Sequence, residues 1–309
     1  MSVFSPSFLA SLGDFRLRVK RLAAGVTFGE HASVRMGVST EFHDRRAWEQ
    51  GDEPKFIDWR LYARTGKLFT RRFEEETNTS FYFLNDFSPS MTYAGAPRDG
   101  EGKRLSKLEY AQCLTAILTY IALQQRDLAG LCATNGAETV SLRPSTGESH
   151  WTECVRFLES PPFTAKPASE TRPFEQTLND LAAAVTRRGK IFILSDFFDA
   201  QSWASIAPQL KLLTAQGNEL VLFQILDADE LDFPFDSRSE FLPLEGSQRG
   251  LTLTPDAVRG AYLTQFQAWR NELETGCRTL GIEFHLVDTR QRIDETVKLL
   301  RSEKSGARN

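Results

Sequence analysis

Short, nearly unbroken apolar runs recur along this chain and stop at polar residues. Phe81-Tyr82-Phe83-Leu84 leads into Asn85-Asp86, Ile191-Phe192-Ile193-Leu194 into Ser195-Asp196, and Leu220-Val221-Leu222-Phe223 into Gln224-Ile225-Leu226. Continuous runs of this length predict strands buried on both faces. Between them, apolar positions return at helical spacing, as with Leu105, Leu108, Ala111, Leu114, Ile117, Leu118 and Ile121. The pattern predicts strands at 80–86, 127–134, 138–142, 190–195, 219–226 and 282–287. Helices are expected at 104–125, 150–159, 174–187, 202–215, 256–280 and 291–302. Strands alternating with helices imply an α/β fold, a largely parallel sheet covered on both faces with right-handed crossovers.

The first quarter of the chain reads differently. Residues 8–23 carry Phe8, Leu9, Leu12, Phe15, Leu17, Val19 and Leu22 at helical spacing with basic residues between, which predicts one amphipathic helix. Residues 31–78 hold nine Lys+Arg and nine Asp+Glu, a balance that suits internal salt bridges rather than a polyanion site. Loop 92–103 is rich in Gly, Pro and charge, and the acidic, irregular stretch 227–254 suggests an inserted hairpin or loop. The expected organisation is an N-terminal helix and charged subdomain over 1–78, a main domain over 79–302 and a polar tail over 303–309.

Composition narrows the class. The chain has 309 residues, 41% hydrophobic and 25% charged, the balance of a globular protein with an ample core. A formal net charge of -4 argues against nucleic acid as the main partner, since phosphate binding wants a basic surface. No apolar run reaches the length of a membrane helix and no secretory signal is evident, so a cytoplasmic location is expected. Cys113, Cys132, Cys154 and Cys277 are far apart, which points to reduced, buried thiols rather than zinc or a redox pair.

The chemistry gathers where the strands end. Asp86-Phe87-Ser88-Pro89-Ser90 has the pattern Asp-x-Ser-x-Ser, which brings one carboxylate and two hydroxyls into one small volume. Hard oxygen donors suit Mg²⁺ or Mn²⁺, with Ca²⁺ as a further candidate, and water or a partner's carboxylate would complete the shell. Asp, Ser and Pro after a strand are also ordinary turn residues. The second strand end in Asp196 is what a site at the carboxyl edge of a parallel sheet requires. Thr171, ahead of helix 174–187, is the best-placed further hydroxyl. The candidate metal set is therefore Asp86, Ser88, Ser90, Thr171 and Asp196, with Asp199 in reserve or as a helix cap.

Enzyme motifs are mostly absent: the chain has no phosphate loop and no nucleophile elbow. His31, His43, His150 and His285 lack ligand spacing. An aspartyl-phosphate enzyme would want a second acid where Ser88 stands. Two readings remain, a non-enzymatic metal-dependent protein-interaction module and a metal-dependent phosphoester hydrolase using Asp86 and Asp196.

Several segments taken in order carry a resemblance. They are Gly51-Asp52-Glu53-Pro54-Lys55-Phe56-Ile57-Asp58-Trp59-Arg60, Ala63-Arg64, Arg72-Phe73-Glu74-Glu75-Glu76, Asp86 to Met91, Ser195-Asp196-Phe197, and Leu226 through the helix with Tyr262. Over roughly 28–300 the chain resembles the bacterial family 58 of domains of unknown function, whose members carry a von Willebrand factor A-like domain. The resemblance implies a Rossmann-like sheet and a metal-dependent adhesion site on Asp86, Ser88, Ser90 and Asp196. Thr171 carries over less closely, because Glu170-Thr171-Arg172-Pro173-Phe174 replaces a Gly-Thr-Asp-Leu-like loop. Asn85 stands where an apolar residue is commoner. Members are typically encoded beside MoxR-type AAA+ ATPases, so the implied role is an adaptor or co-chaperone joining such an ATPase to a client. For the Gly51–Arg64 block the expected role is structural, Asp52 and Asp58 pairing with Arg60 and Arg64 and Trp59 anchoring the N-terminal layer to the sheet.

Overall fold

The structure, a computed structural model, describes residues 45–47, 59–71, 79–95, 104–164, 172–200, 202–235, 239–241, 244 and 251–302. The expected helix 8–23, Thr171, Asp52, Asp58, the Arg60 side chain and tail 303–309 lie outside what is described. The chain divides into two compact units, residues 35–79 and the remainder. In the smaller unit, strand β1 (Arg45–Ala47) pairs antiparallel with β2 (Phe69–Arg71), and helix α1 (Trp59–Thr65) precedes β2. Trp59 is 58% exposed and meets Tyr62 edge-on at 6.1 Å between ring centroids.

The larger unit is built on six strands: β3 (Ser80–Asp86), β4 (Leu128–Thr134), β5 (Thr139–Ser145), β6 (Gly189–Ser195), β7 (Glu219–Leu226) and β10 (Glu283–Asp288). A short hairpin, β8 (Ser239–Phe241) with β9 (Leu251–Leu253), lies between the last two in sequence. The sheet order is β10-β7-β6-β3-β4-β5, and every pairing is parallel except that of β4 with edge strand β5. The mostly parallel, Rossmann-like α/β fold expected from the sequence is thus present. The helices are α2 (Lys107–Gln124), α3 (Glu148–Glu159), α4 (Phe174–Ala184), α5 (Trp203–Ala215), α6 (Ala228–Asp232), α7 (Pro255–Thr279) and α8 (Ile293–Ser302).

Side-chain alternation along the strands makes two cores. On one face Phe81, Phe83, Phe192 and Phe223 form a stacked aromatic row, with Phe83 and Phe192 4.9 Å apart between centroids. On the other, Tyr82, Leu84, Ile191, Ile193 and Leu222 pack with Leu178, Leu181, Leu210, Leu213 and Leu273 from α4, α5 and α7. Asn85 takes its place on the aromatic face without solvent: its Oδ1 accepts the Thr115 hydroxyl of α2 at 2.8 Å.

Several element boundaries differ from the sequence reading by a few residues. Helix α4 stops at Ala184 rather than 187, because the Thr186 and Arg187 amides turn inward to donate to the Tyr82 hydroxyl at 3.2 and 3.1 Å. Strand β5 runs to Ser145, past the expected 142. The stretch 227–254 contains a hairpin, β8–β9, one of the two forms expected there, and also the short helix α6, which was not expected. Cys132, Cys154 and Cys277 are buried free thiols, and burial pushes each up to about 12.

Candidate cation site at the switch point of the sheet

Chain connectivity changes direction beside β3. From β3 the chain moves to β4 and β5 on one side, then returns to lay β6 on the other. In open α/β sheets such a switch point leaves a crevice outside the carboxyl ends of the two strands, where ligands bind. Here those ends are Asp86 on β3 and Ser195-Asp196 on β6.

Asp86 is 2% exposed and is held by neutral donors. The Ser88 amide donates to Oδ1 at 2.8 Å and the Ser195 hydroxyl to Oδ2 at 2.6 Å. Ser88 and Ser90 bring their hydroxyls 3.1 Å apart, with Pro89 starting the 3₁₀ turn that carries them. Ser90, at 7% exposed, is the most accessible of the set. Burial first, and Asp196 second, raise the Asp86 pKa to about 6. The site therefore holds a carboxylate whose negative charge is poorly compensated, beside two hydroxyl oxygens with lone pairs to give.

Asp196 is differently placed. Its Oδ2 accepts the Lys107 ammonium at 2.7 Å and its Oδ1 the Phe198 amide at 3.0 Å. Lys107 is fully buried and reaches Glu230 Oε1 at 2.5 Å as well, with Phe198 4.6 Å below the ammonium. Burial works against this ammonium, but Asp196 and Glu230 outweigh it and hold its pKa above the ordinary lysine value. Just after Asp196 the backbone leaves the strand. Phe197 adopts φ 63, a left-handed conformation rare for a non-glycine residue, while its amide donates to the Ser195 hydroxyl at 2.8 Å.

The structure thus brings Asp86, Ser88, Ser90 and Asp196 to one strand edge, and Thr171 lies outside the described residues. A described hydroxyl not singled out from sequence, Thr134, pairs in register with Asp86 at the end of β4. Lys107, Ser195 and Glu230 were also missed. Lys107 falls inside the helix expected at 104–125, where Ser106-Lys107-Leu108-Glu109 spells a capping box that starts α2. Asp227 to Glu230 spells a second, which starts α6. Both signals place a charged side chain beside the strand ends.

The donors fit a hard divalent cation in kind. Asp86, Ser88 and Ser90 are the residues that would hold it, while both Asp196 oxygens are engaged by Lys107 and the Phe198 amide. Among the described residues no three His, Cys, Asp or Glu side chains group as a metal cage. A cation here would accordingly depend on hydroxyls, water and a carboxylate from outside.

Residues 44–272 match the family described as "Protein of unknown function DUF58". Over 229 residues the chain is 24% identical to an uncharacterized protein of Mycobacterium tuberculosis, covering 74% of this chain and 68% of that one. The same figures, 24%, 74% and 68%, hold for an uncharacterized protein of Mycobacterium bovis. Among solved structures, the conserved hypothetical protein BatB from Bacteroides thetaiotaomicron is 14% identical with a TM-score of 0.45, over 74% of this chain and all (100%) of that one. The SpRpn10 VWA domain is 8% identical with a TM-score of 0.39, over 72% of this chain and 95% of its own. With most of its length matched, the chain belongs to the DUF58 family of proteins of unknown function.

Proposed function

We propose that this protein is a non-enzymatic interaction module of the von Willebrand factor A type, which binds an acidic residue of a partner through a Mg²⁺ or Mn²⁺ ion held by Asp86, Ser88 and Ser90. The observation that carries this reading is Asp86 itself, a buried carboxylate at the switch point met by neutral donors and by two converging hydroxyls. A divalent ion would neutralise that carboxylate and present an open position to the partner. The chain's own residues position the ion, keep Asp86 out of water and fix its orientation through Ser88 and Ser195. The partner class that family resemblance suggests is a MoxR-type AAA+ ATPase, or the client it remodels. No described helix is long and apolar enough to cross a membrane.

The second reading, a phosphoester hydrolase, has one observation in its favour: a carboxyl raised to about 6 can act as a general base near neutral pH. Against it, the other carboxylate the mechanism would use, Asp196, is committed to Lys107. One experiment separates the two. Purified MoxR-type ATPase is retained by the immobilised protein in Mg²⁺ and lost in EDTA or with Asp86→Ala. Turnover of a generic phosphoester by wild type, abolished by the same substitution, would overturn the binding reading.

A further inference from the structure

Three strand ends contribute carboxylates to this edge: Asp86 after β3, Asp196 after β6 and Glu230 shortly after β7. A single ammonium, Lys107, ties two of them together through contacts of 2.7 and 2.5 Å. It leaves α2 at its first residue, is wholly buried, and lies over the Phe198 ring, so it is anchored on three sides. Breaking a pair of this kind strands a buried charge, which is strongly unfavourable. Asp196 is therefore not free to serve a second cation. Of these three described carboxylates, the one left to a divalent ion is Asp86. One carboxylate leaves a buried divalent ion with a full unit of uncompensated positive charge, which a low-dielectric site does not tolerate.

We propose that Lys107 makes cation binding at Asp86, Ser88 and Ser90 conditional on an acidic partner: by holding Asp196 within the protein, it leaves the second negative ligand to be supplied by a carboxylate from outside. The inference rests on the cation-site reading above and adds its regulation. Cation and acidic ligand then bind as a pair, each raising the affinity for the other by the same factor. The free protein stays largely unloaded, and an aliphatic carboxylate with an ion is recognised where a neutral side chain is not. Lys107 acts here as a positioning residue, through Asp196.

Calorimetric titration with Mn²⁺ tests this, using acetate as the carboxylate probe. Wild type is expected to bind Mn²⁺ at least tenfold more tightly with saturating acetate than without. Lys107→Met alone would leave two buried carboxylates unpaired, so the informative variant is Lys107→Met with Glu230→Gln, which removes one charge of each sign. With Asp196 released, that variant binds Mn²⁺ alone at least tenfold more tightly than wild type does, and acetate adds little. Glu230→Gln by itself gives the opposite sign: Lys107 then serves Asp196 only, and Mn²⁺ binding in acetate stays acetate-dependent and weakens several-fold. If wild type binds Mn²⁺ but acetate and these substitutions change nothing, the proposal is overturned and the cation site stands. If Mn²⁺ binds neither wild type nor any variant, with or without acetate, the cation-site reading fails and takes the proposal with it.

Discussion

Asp86 is kept ionised at neutral pH against its surroundings. Its pKa in the folded chain is about 6, against 3.8 for an unperturbed aspartate. Because the folded value is the higher one, protonation favours the folded state. The stabilisation this gives is complete below about pH 4 and is lost as pH rises to about 6. At 1.36 kcal/mol per unit, the loss amounts to about 3 kcal/mol. Asp86→Asn removes the charge and keeps the shape. In EDTA at pH 7 it is expected to raise unfolding stability by roughly 1–3 kcal/mol in urea titrations, with the gain vanishing toward pH 4. A gain of that size, given up by the natural residue, is the trade of stability for function seen at binding sites. At this scale sequence reading works unevenly. Asp86 and Asp196 are legible because apolar runs stop at them. Lys107 is not, since nothing in the local helix pattern tells a buried ammonium from a solvated one; its burial comes from Asp196 and Glu230, distant in sequence.

Among the elements, α2 does most to shape the site, because its first turn delivers Lys107. The turn is fixed by a reciprocal pair, the Glu109 amide donating to Ser106 Oγ at 3.1 Å and the Ser106 amide to Glu109 Oε2 at 2.8 Å. Ser106→Ala is expected to cost about 1 kcal/mol of stability in urea unfolding. On the opposite face, α7 approaches α5 closely at Gly276. A Cβ there would come within 2.2 Å of the Trp203 ring. Gly276→Ala should therefore destabilise by about 1–3 kcal/mol, although alanine is the better helix former, and calorimetric unfolding will show which effect wins. The long helices and central strands were readable for the reason they are stable, since the helices bury apolar positions at helical spacing and the strands are apolar on both faces. The end of α4 was not, because Tyr82 of β3 sets it through its hydroxyl. Nor was α6, which is five residues long and shows no helical periodicity; its capping box was the available signal.

For the larger unit as a whole, strand order decides what the edge residues mean. Asp-x-Ser-x-Ser after a strand is turn chemistry until β3 and β6 lie side by side with opposite connections, and then it lines a crevice. Sequence alternation indicated the parallel sheet; the adjacency of β3 and β6 follows from packing between distant segments and had to be seen. The central claim is that this crevice holds a divalent cation through Asp86. Binding to the native state alone must raise stability by mass action, by about 2.7 kcal/mol when ligand stands a hundredfold above its Kd. The most direct measurement is thermal unfolding of wild type and Asp86→Ala in EDTA and in millimolar Mn²⁺ with acetate. A rise in Tm of several degrees for wild type, absent in Asp86→Ala, is the predicted result. Equal Tm values for wild type with and without the ion, up to its solubility limit, would contradict it.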